Sequence, residues 1–280
     1  FQLEPVVKND EREILNRAYP TPYFFSARVF SQIDLVSIEL QKVYRQTDSV
    51  FVSVLDHIRT NTAGAADLQL LNTRYGSHIE ESEADMYITL ATRRDTVDSI
   101  NEKKLAELAG EPITFEGSIE GDFPESSLPT SQELVLKPGA QIIFIKNDFD
   151  RRWVNGTIGV IAGIDEEEET IYVITDDGKE CDVKRESWRN IRYRYNEKTK
   201  EIEEEVLGSF TQYPIRLAWA ITVHKSQGLT FSRVVIDFTG GVFAGGQAYV
   251  ALSRCTSLDG IQLKKPINRA DIFVRPEIVN

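Results

Sequence analysis

The chain has little with which to hold a metal or to cross-link itself: two cysteines, Cys181 and Cys255, and three histidines among 280 residues. The cysteines lie far apart, show no metal-ligand spacing and do not cluster with the histidines, which excludes a structural zinc site and predicts reduced thiols. No apolar run approaches the thickness of a bilayer, and the residues after Phe1 form no signal-peptide pattern. A soluble, cytoplasmic protein with no membrane partner is therefore expected, nucleoid-associated if bacterial. Neither nucleotide fingerprint is met, because the chain has no GxGxxG and no GxxxxGK[ST]. Basic residues are in deficit, 32 against 44 acidic, for a net charge of −12, which taken alone argues against a nucleic-acid binder.

What is present is enough apolar residue, 41%, to bury a substantial core in one large or two smaller domains. The acid is concentrated in runs, Glu80, Glu81, Glu83 and Asp85, then Glu166 to Glu169 and Glu203 to Glu205, which read as solvated faces. That leaves a local basic track around Arg93, Arg94, Lys146, Arg151, Arg152 and Lys225.

Asn9 and Asp10 cap an expected helix through Tyr19, stopped by Pro20 and Pro22. From Leu35 the pattern predicts a strand, a polar turn and a helix capped by Asp48, with Phe51, Val54, Leu55 and Ile58 on one face. Leu68, Leu70 and Leu71 suggest a short helix ending near Gly76. MYITLAT reads as a strand and DTVDSINEKKLAELAG as a helix with Val97, Ile100, Leu105 and Leu108 inward, capped by Asp95 and ended by Gly110. Thr92, Arg93 and Arg94 lie between the two, where an α/β domain displays binding loops. Residues 117–138, rich in Ser, Pro, Gly and acid, read as a long surface connection. GAQIIFIKND gives a buried strand ending at Lys146 and Asn147. Beyond Trp153, Asn155-Gly156 and Asp177-Gly178 are tight-turn signals, and about five short strands fit a small antiparallel barrel. Tyr193 and Tyr195 alternate within a hairpin, where cross-strand packing is favoured over base stacking.

The chain is organised around Ile215 to Gly260. Ile215, Leu217, Trp219, Ile221 and Val223 share one parity, which predicts a single strand with one face in a core. His224, Lys225, Ser226, Gln227 and Gly228 then form a polar turn. Val234 to Phe238 reads as a buried parallel strand, and Gly240, Gly241, Gly245 and Gly246 open a helix over Gln247 to Arg254. On composition alone this is strand, polar turn, strand, loop and helix, and Arg254 is a surface charge or a partner for a carboxylate.

TVHKSQGLTF followed by GQAYVALSRCTSLDG resembles motifs V and VI of superfamily 1 helicases, in the 1B group and closest to its petite-integration-frequency and RecD-like branch. The triplet Tyr44, Arg45, Gln46 resembles motif IV, and FQLEPVV resembles the end of motif III, with Glu4 where the family has proline. The resemblance implies an α/β fold: the second RecA-like motor domain of a P-loop NTPase helicase, over 35–150 and 210–280. An inserted SH3-like β-barrel would cover 151–209, and 1–34 would be a remnant of the first motor domain. It implies that Arg254 and Arg45 are catalytic, reaching the nucleotide's terminal phosphate, where a guanidinium stays charged and offers several donors. Gln2, Gln227 and Gly228 would serve the nucleotide. Thr92, Arg93, Arg94, Lys146, Asn147, Thr222, His224, Lys225 and Ser226 would grip DNA phosphates. ATP and Mg2+ are the implied cofactors, with the magnesium ligands and Walker motifs on a first motor domain upstream of Phe1. Single-stranded DNA and DNA junctions are the implied partners, with 5′-to-3′ translocation and duplex unwinding, and this stretch alone is expected not to hydrolyse ATP. A non-enzymatic binding module that keeps the helicase fold is the alternative, supported by the acidic charge and the missing Walker motifs.

Overall fold

The computed structural model describes all residues except 1, 2, 4, 6, 8, 39–41, 78–85, 197–199, 276, 277, 279 and 280. Its helices are α1 (Asn9–Ala18), α2 (Ser49–Arg59), α3 (Ala65–Asn72), α4 (Arg94–Glu107) and α5 (Gln247–Leu252). The strands begin with β1 (Ile88–Ala91), β2 (Ile113–Glu116), β3 (Ser118–Gly121), β4 (Glu133–Leu136) and β5 (Gln141–Phe144). They continue with β6 (Ile158–Asp165), β7 (Thr170–Thr175), β8 (Glu180–Val183), β9 (Glu186–Asn196) and β10 (Glu201–Gln212). The last are β11 (Ile215–Leu217), β12 (Ala220–Thr222), β13 (Val234–Asp237) and β14 (Ile261–Leu263). Among the described residues, no helix is long and apolar enough to cross a membrane.

Two compact units emerge, one from residues 1–80, 87–96 and 221–280, the other from 81–86 and 97–220. The first is built on a four-stranded sheet in the order β12-β1-β13-β14. β13 runs parallel to both β1 and β14. Every residue of β1 and β13 is buried, as expected of parallel strands covered on both faces. α2 buries Phe51, Val54, Leu55 and Ile58, the helical spacing read from sequence. Asp48 caps it by accepting from the Val50 and Phe51 amides at 2.8 and 3.4 Å, satisfying two of the orphan donors of the first turn. No strand forms in the described part of 35–44, where Val36 and Ile38 are exposed.

The second unit is antiparallel. A five-stranded sheet runs β11-β5-β6-β7-β8, a three-stranded sheet runs β3-β10-β9, and β2 pairs with β4. Its core gathers Phe144, Trp153, Ile142, Ile171, Val173 and Tyr213, with the Phe144 and Trp153 rings stacked at 4.3 Å. Among the described residues these sheets stay open, and no closed barrel forms. Residues 117–138 are not one surface connection: they hold β3 and β4, and Leu134 and Leu136 are buried.

The expected single strand over Ile215–Val223 is two short ones in different sheets. Side-chain amides replace the ladder where it breaks. Ala218 donates to the Gln141 carbonyl at 2.9 Å and accepts from Gln141 Nε2 at 2.8 Å. Ala220 donates to Asn101 Oδ1 and accepts from Asn101 Nδ2, both at 2.9 Å. Buried backbone groups must be paired: the Asn101 amide serves both groups of Ala220, while Ala218 keeps one backbone bond to β5 and takes the Gln141 side chain for its carbonyl. Apolar parity could not reveal this, because Ala218 and Ala220 are both fully buried while Leu217 and Trp219 are only half-buried.

Candidate active site

α5 starts from Gly246, whose positive φ of 78° suits a residue without a side chain. Gln247 is fully buried and its Oε1 accepts from the Phe243 amide at 3.1 Å, which folds the turn before the helix. Two turns later the helix delivers Arg254, only 3% exposed. Its Nε donates to the Val250 carbonyl at 3.0 Å, Nη1 to the Leu229 carbonyl at 3.2 Å and Nη2 to Ser253 Oγ at 2.9 Å. A guanidinium has five N–H donors, so one remains on each terminal nitrogen. Burial, and next the positive charge of Arg45, bring its pKa down to about 10, which leaves it charged at neutral pH.

Arg45 approaches from the segment before α2. Its Nε donates to Thr230 Oγ1 at 2.8 Å and its Nη1 to the Ser253 carbonyl at 3.1 Å. The next residue, Gln46, is buried and its Nε2 donates to the Ser253 and Cys255 carbonyls at 3.0 and 2.7 Å. Cys255 is buried as well, its thiol facing the Ser232 carbonyl at 3.3 Å. Among the described residues neither Arg45 nor Arg254 has a carboxylate partner. Two converging cations with no carboxylate partner among the described residues, held by neutral carbonyls and hydroxyls, form a candidate anion site.

The other sequence candidates in this unit sit on loops at the ends of β1, β12 and β13. Val223 donates to the Ala91 carbonyl at 2.9 Å, bringing the turn 223–228 beside Thr92, Arg93 and Arg94. Thr222 Oγ1 accepts from the Lys225 amide at 3.3 Å, and the His224 ring stacks over Phe243 at 6.2 Å. Lys225, Gln227 and Gly228 are exposed, with Gly228 at a φ of 87°. Arg93 and Arg94 are exposed, and Arg93 Nε lies 3.3 Å from Asp95. Gly240 lies beneath them: a Cβ there would come within 2.7 Å of Arg93 Cδ and 3.2 Å of Thr92 Oγ1.

Several candidates are turned inward. Ser226 is fully buried and its hydroxyl donates to the Val223 carbonyl at 2.7 Å, so it shapes the turn and offers nothing to a strand. Thr92 is 3% exposed. Lys146, in the second unit, is held by Glu186 at 2.7 Å and the Ser187 carbonyl at 3.0 Å, over the Trp188 ring. Asn147 accepts from the Asn155 amide at 2.8 Å and closes its own loop. The Gln2 assignment lies outside the described residues.

No protein-family profile matches the chain. It is 31% identical over 277 residues to the ATP-dependent DNA helicase Pif1 of Campylobacter jejuni, covering 94% of this chain and 60% of that protein. It is 34% identical over 269 residues to human PIF1, covering 94% of this chain and 39% of that one. The crystal structure of Bacteroides Pif1 in complex with ADP-AlF4 superimposes with a TM-score of 0.82 at 37% identity, over 98% of this chain and 62% of the other. Over nearly its whole length the chain is similar in sequence and in fold to Pif1 helicases. Candida albicans Pif1 also superimposes, with a TM-score of 0.76 at 27% identity over 99% of this chain and 65% of the other. The fold is thus the RecA-like α/β architecture of Pif1 helicases, and the chain spans about 60% of the length of the bacterial relative.

Within this Pif1 relative, sequence reasoning passed over Gln46, Thr230, Gly240 and Gln247. Gln46 stood in plain view as the third residue of the motif IV triplet. Thr230 and Gly240 gave no signal, because their roles are contacts with residues far along the chain.

Proposed function

We propose that this chain supplies the arginine side of an ATP site, and part of a single-stranded DNA grip, in an ATP-dependent DNA helicase. The convergence of Arg45 and Arg254, without a carboxylate partner among the described residues, carries the reading. Charge spreads over the transferring phosphoryl group, and a fixed guanidinium stabilises it most when water is excluded. Arg254 is buried, fixed by three hydrogen bonds, and keeps two N–H groups for such a partner. The names of the relatives support ATP dependence and DNA unwinding, and Bacteroides Pif1 has been crystallised bound to single-stranded DNA.

In this reading a first motor domain brings the Walker motifs and the magnesium ligands. Nucleotide-driven closing and opening of the motor moves the grip 5′ to 3′ and unwinds duplexes at junctions. The antiparallel second unit is the open counterpart of an SH3-like insertion, and the exposed Arg93, Arg94, Lys225 and Gln227 hold phosphates with little sequence preference. A cytoplasmic setting fits these partners.

In the full-length protein, Arg254→Ala should lower ATP turnover by roughly 10³-fold or more, the worth of an arginine finger, and leave single-stranded DNA affinity nearly unchanged. Steady-state ATPase assays with DNA binding in parallel make the test, and normal turnover would remove Arg254 from catalysis.

A further inference from the structure

We propose that Gln46 is the positioning residue for Arg254, an assignment that rests on the helicase reading above. Gln46 touches no reacting group: it is 5% exposed and both hydrogens of its amide are engaged. They go to the carbonyls of Ser253 and Cys255, the two residues that flank Arg254, at 3.0 and 2.7 Å. One side chain thus pins the peptide on each side of the arginine.

The location explains why a donor is needed there. α5 ends at Leu252 with Ser253 as its C-cap, and the last carbonyls of a helix have no partner within it. Water could satisfy them and would leave Arg254 on a frayed end. Gln46 satisfies the C-cap carbonyl of Ser253, and that of Cys255 just beyond it, from the motif IV segment. Its neighbour Arg45 donates to the same Ser253 carbonyl, so the two arginines are fastened at one point. Thr230, which receives Arg45 Nε, and Leu229, which receives Arg254 Nη1, are adjacent and tie both guanidinia to the segment between the polar turn and β13. Relative placement of the two cations then depends on Gln46 and not on charge, since like charges repel.

Such placement acts on rate. Misplacing a catalytic group by about an ångström costs on the order of 10²-fold in rate, and the loss falls on kcat because the arginine acts on charge developed in the transition state. The test is a double-mutant cycle in the full-length protein: wild type, Gln46→Met, Arg254→Ala and the pair, with kcat and the KM for ATP measured at saturating single-stranded DNA. Methionine keeps the length and volume and removes the donors. Gln46→Met should lower kcat by about 10²-fold, hold KM within about threefold, and add no further loss in the Arg254→Ala background. An equal loss in both backgrounds, or a matching fall in DNA affinity, assigns Gln46 to general stability and overturns the proposal. Gln46→Asn, which keeps the amide but shortens its reach, serves the same cycle if the methionine variant does not fold. Normal turnover in Arg254→Ala alone would remove Arg254 from catalysis, and with it the part of the reading that this proposal rests on, whereas additivity with Arg254→Ala impaired fails only the role of Gln46.

Discussion

At Arg254, burial and charge pull in opposite directions. Taking a guanidinium out of water is costly, and here a second arginine adds to the cost, as the pKa of about 10 records. Such an arrangement persists where a bound anion relieves it. The exposed pair Arg93 and Arg94 is a different case. Each is reachable by a phosphate, and replacing both with alanine should weaken single-stranded DNA binding. It should also flatten the slope of log affinity against log salt by about 0.7 for each phosphate no longer neutralised. An unchanged slope would make them surface charges. Gly240→Ala tests the same loop from below, since its Cβ would press on Arg93 and Thr92. DNA affinity should fall by a few-fold with little change in melting temperature. Sequence alone singled out Arg45 and Arg254 by their spacing from motif neighbours, and the structure brings the two side chains to the same Ser253 and Leu229–Thr230 segments. The pairing of Lys146 was illegible because its carboxylate, Glu186, arrives from forty residues away, and the burial of Ser226 was illegible because a hydroxyl reads the same whether it faces a ligand or its own turn.

Among the elements, the connection between β5 and β6 is held by charge. Arg152 donates to both oxygens of Asp148 at 2.8 and 3.0 Å and to Asp182 at 2.8 Å, and its guanidinium lies over Trp153 at 4.6 Å. The hydrogen bonds from Arg152 hold the Asp148 carboxyl below its ordinary value against the opposing effect of burial. A depressed carboxylate contributes stability above its unfolded pKa and loses it as pH falls through the folded one. Asp148→Asn should therefore lower the melting temperature at pH 7 and make little difference near pH 2, checked by thermal melts across that range. The pairing of β3 with β10 depends instead on close approach. Gly208 faces Gly121 in register, and a Cβ at Gly208 would meet the Glu120 carbonyl at 2.5 Å. Gly208→Ala should cost about 1–3 kcal/mol in a chemical melt. Helices were the legible elements, since α2 and its Asp48 cap carry their own period. The break at Ala218 was illegible because it depends on Asn101 and Gln141, polar residues whose partners are backbone atoms far along the chain.

Over the whole molecule the net charge is −12, and of the basic residues grouped in sequence Lys146 and Arg152 are ion-paired with Glu186, Asp148 and Asp182, which leaves Arg93, Arg94 and Lys225 as an exposed local track within the first unit. Any DNA affinity should therefore fall steeply with salt, since only the local track attracts. ATP turnover that responds to DNA should require a motor domain that carries a GxxxxGK[ST] loop, because none lies within these 280 residues. Turnover by this stretch alone would contradict the division of labour proposed above. The two cysteines are shared out between the units. Cys255 lies in the first beside Arg254 and Cys181 lies in the second, both are buried, and burial pushes both thiols up from their usual pKa. Neither can meet an alkylating reagent until its surroundings part. The rate at which each sulfur is modified is thus a clock for the breathing of its own unit, and a nucleotide that seats on the arginines should slow one clock and leave the other running.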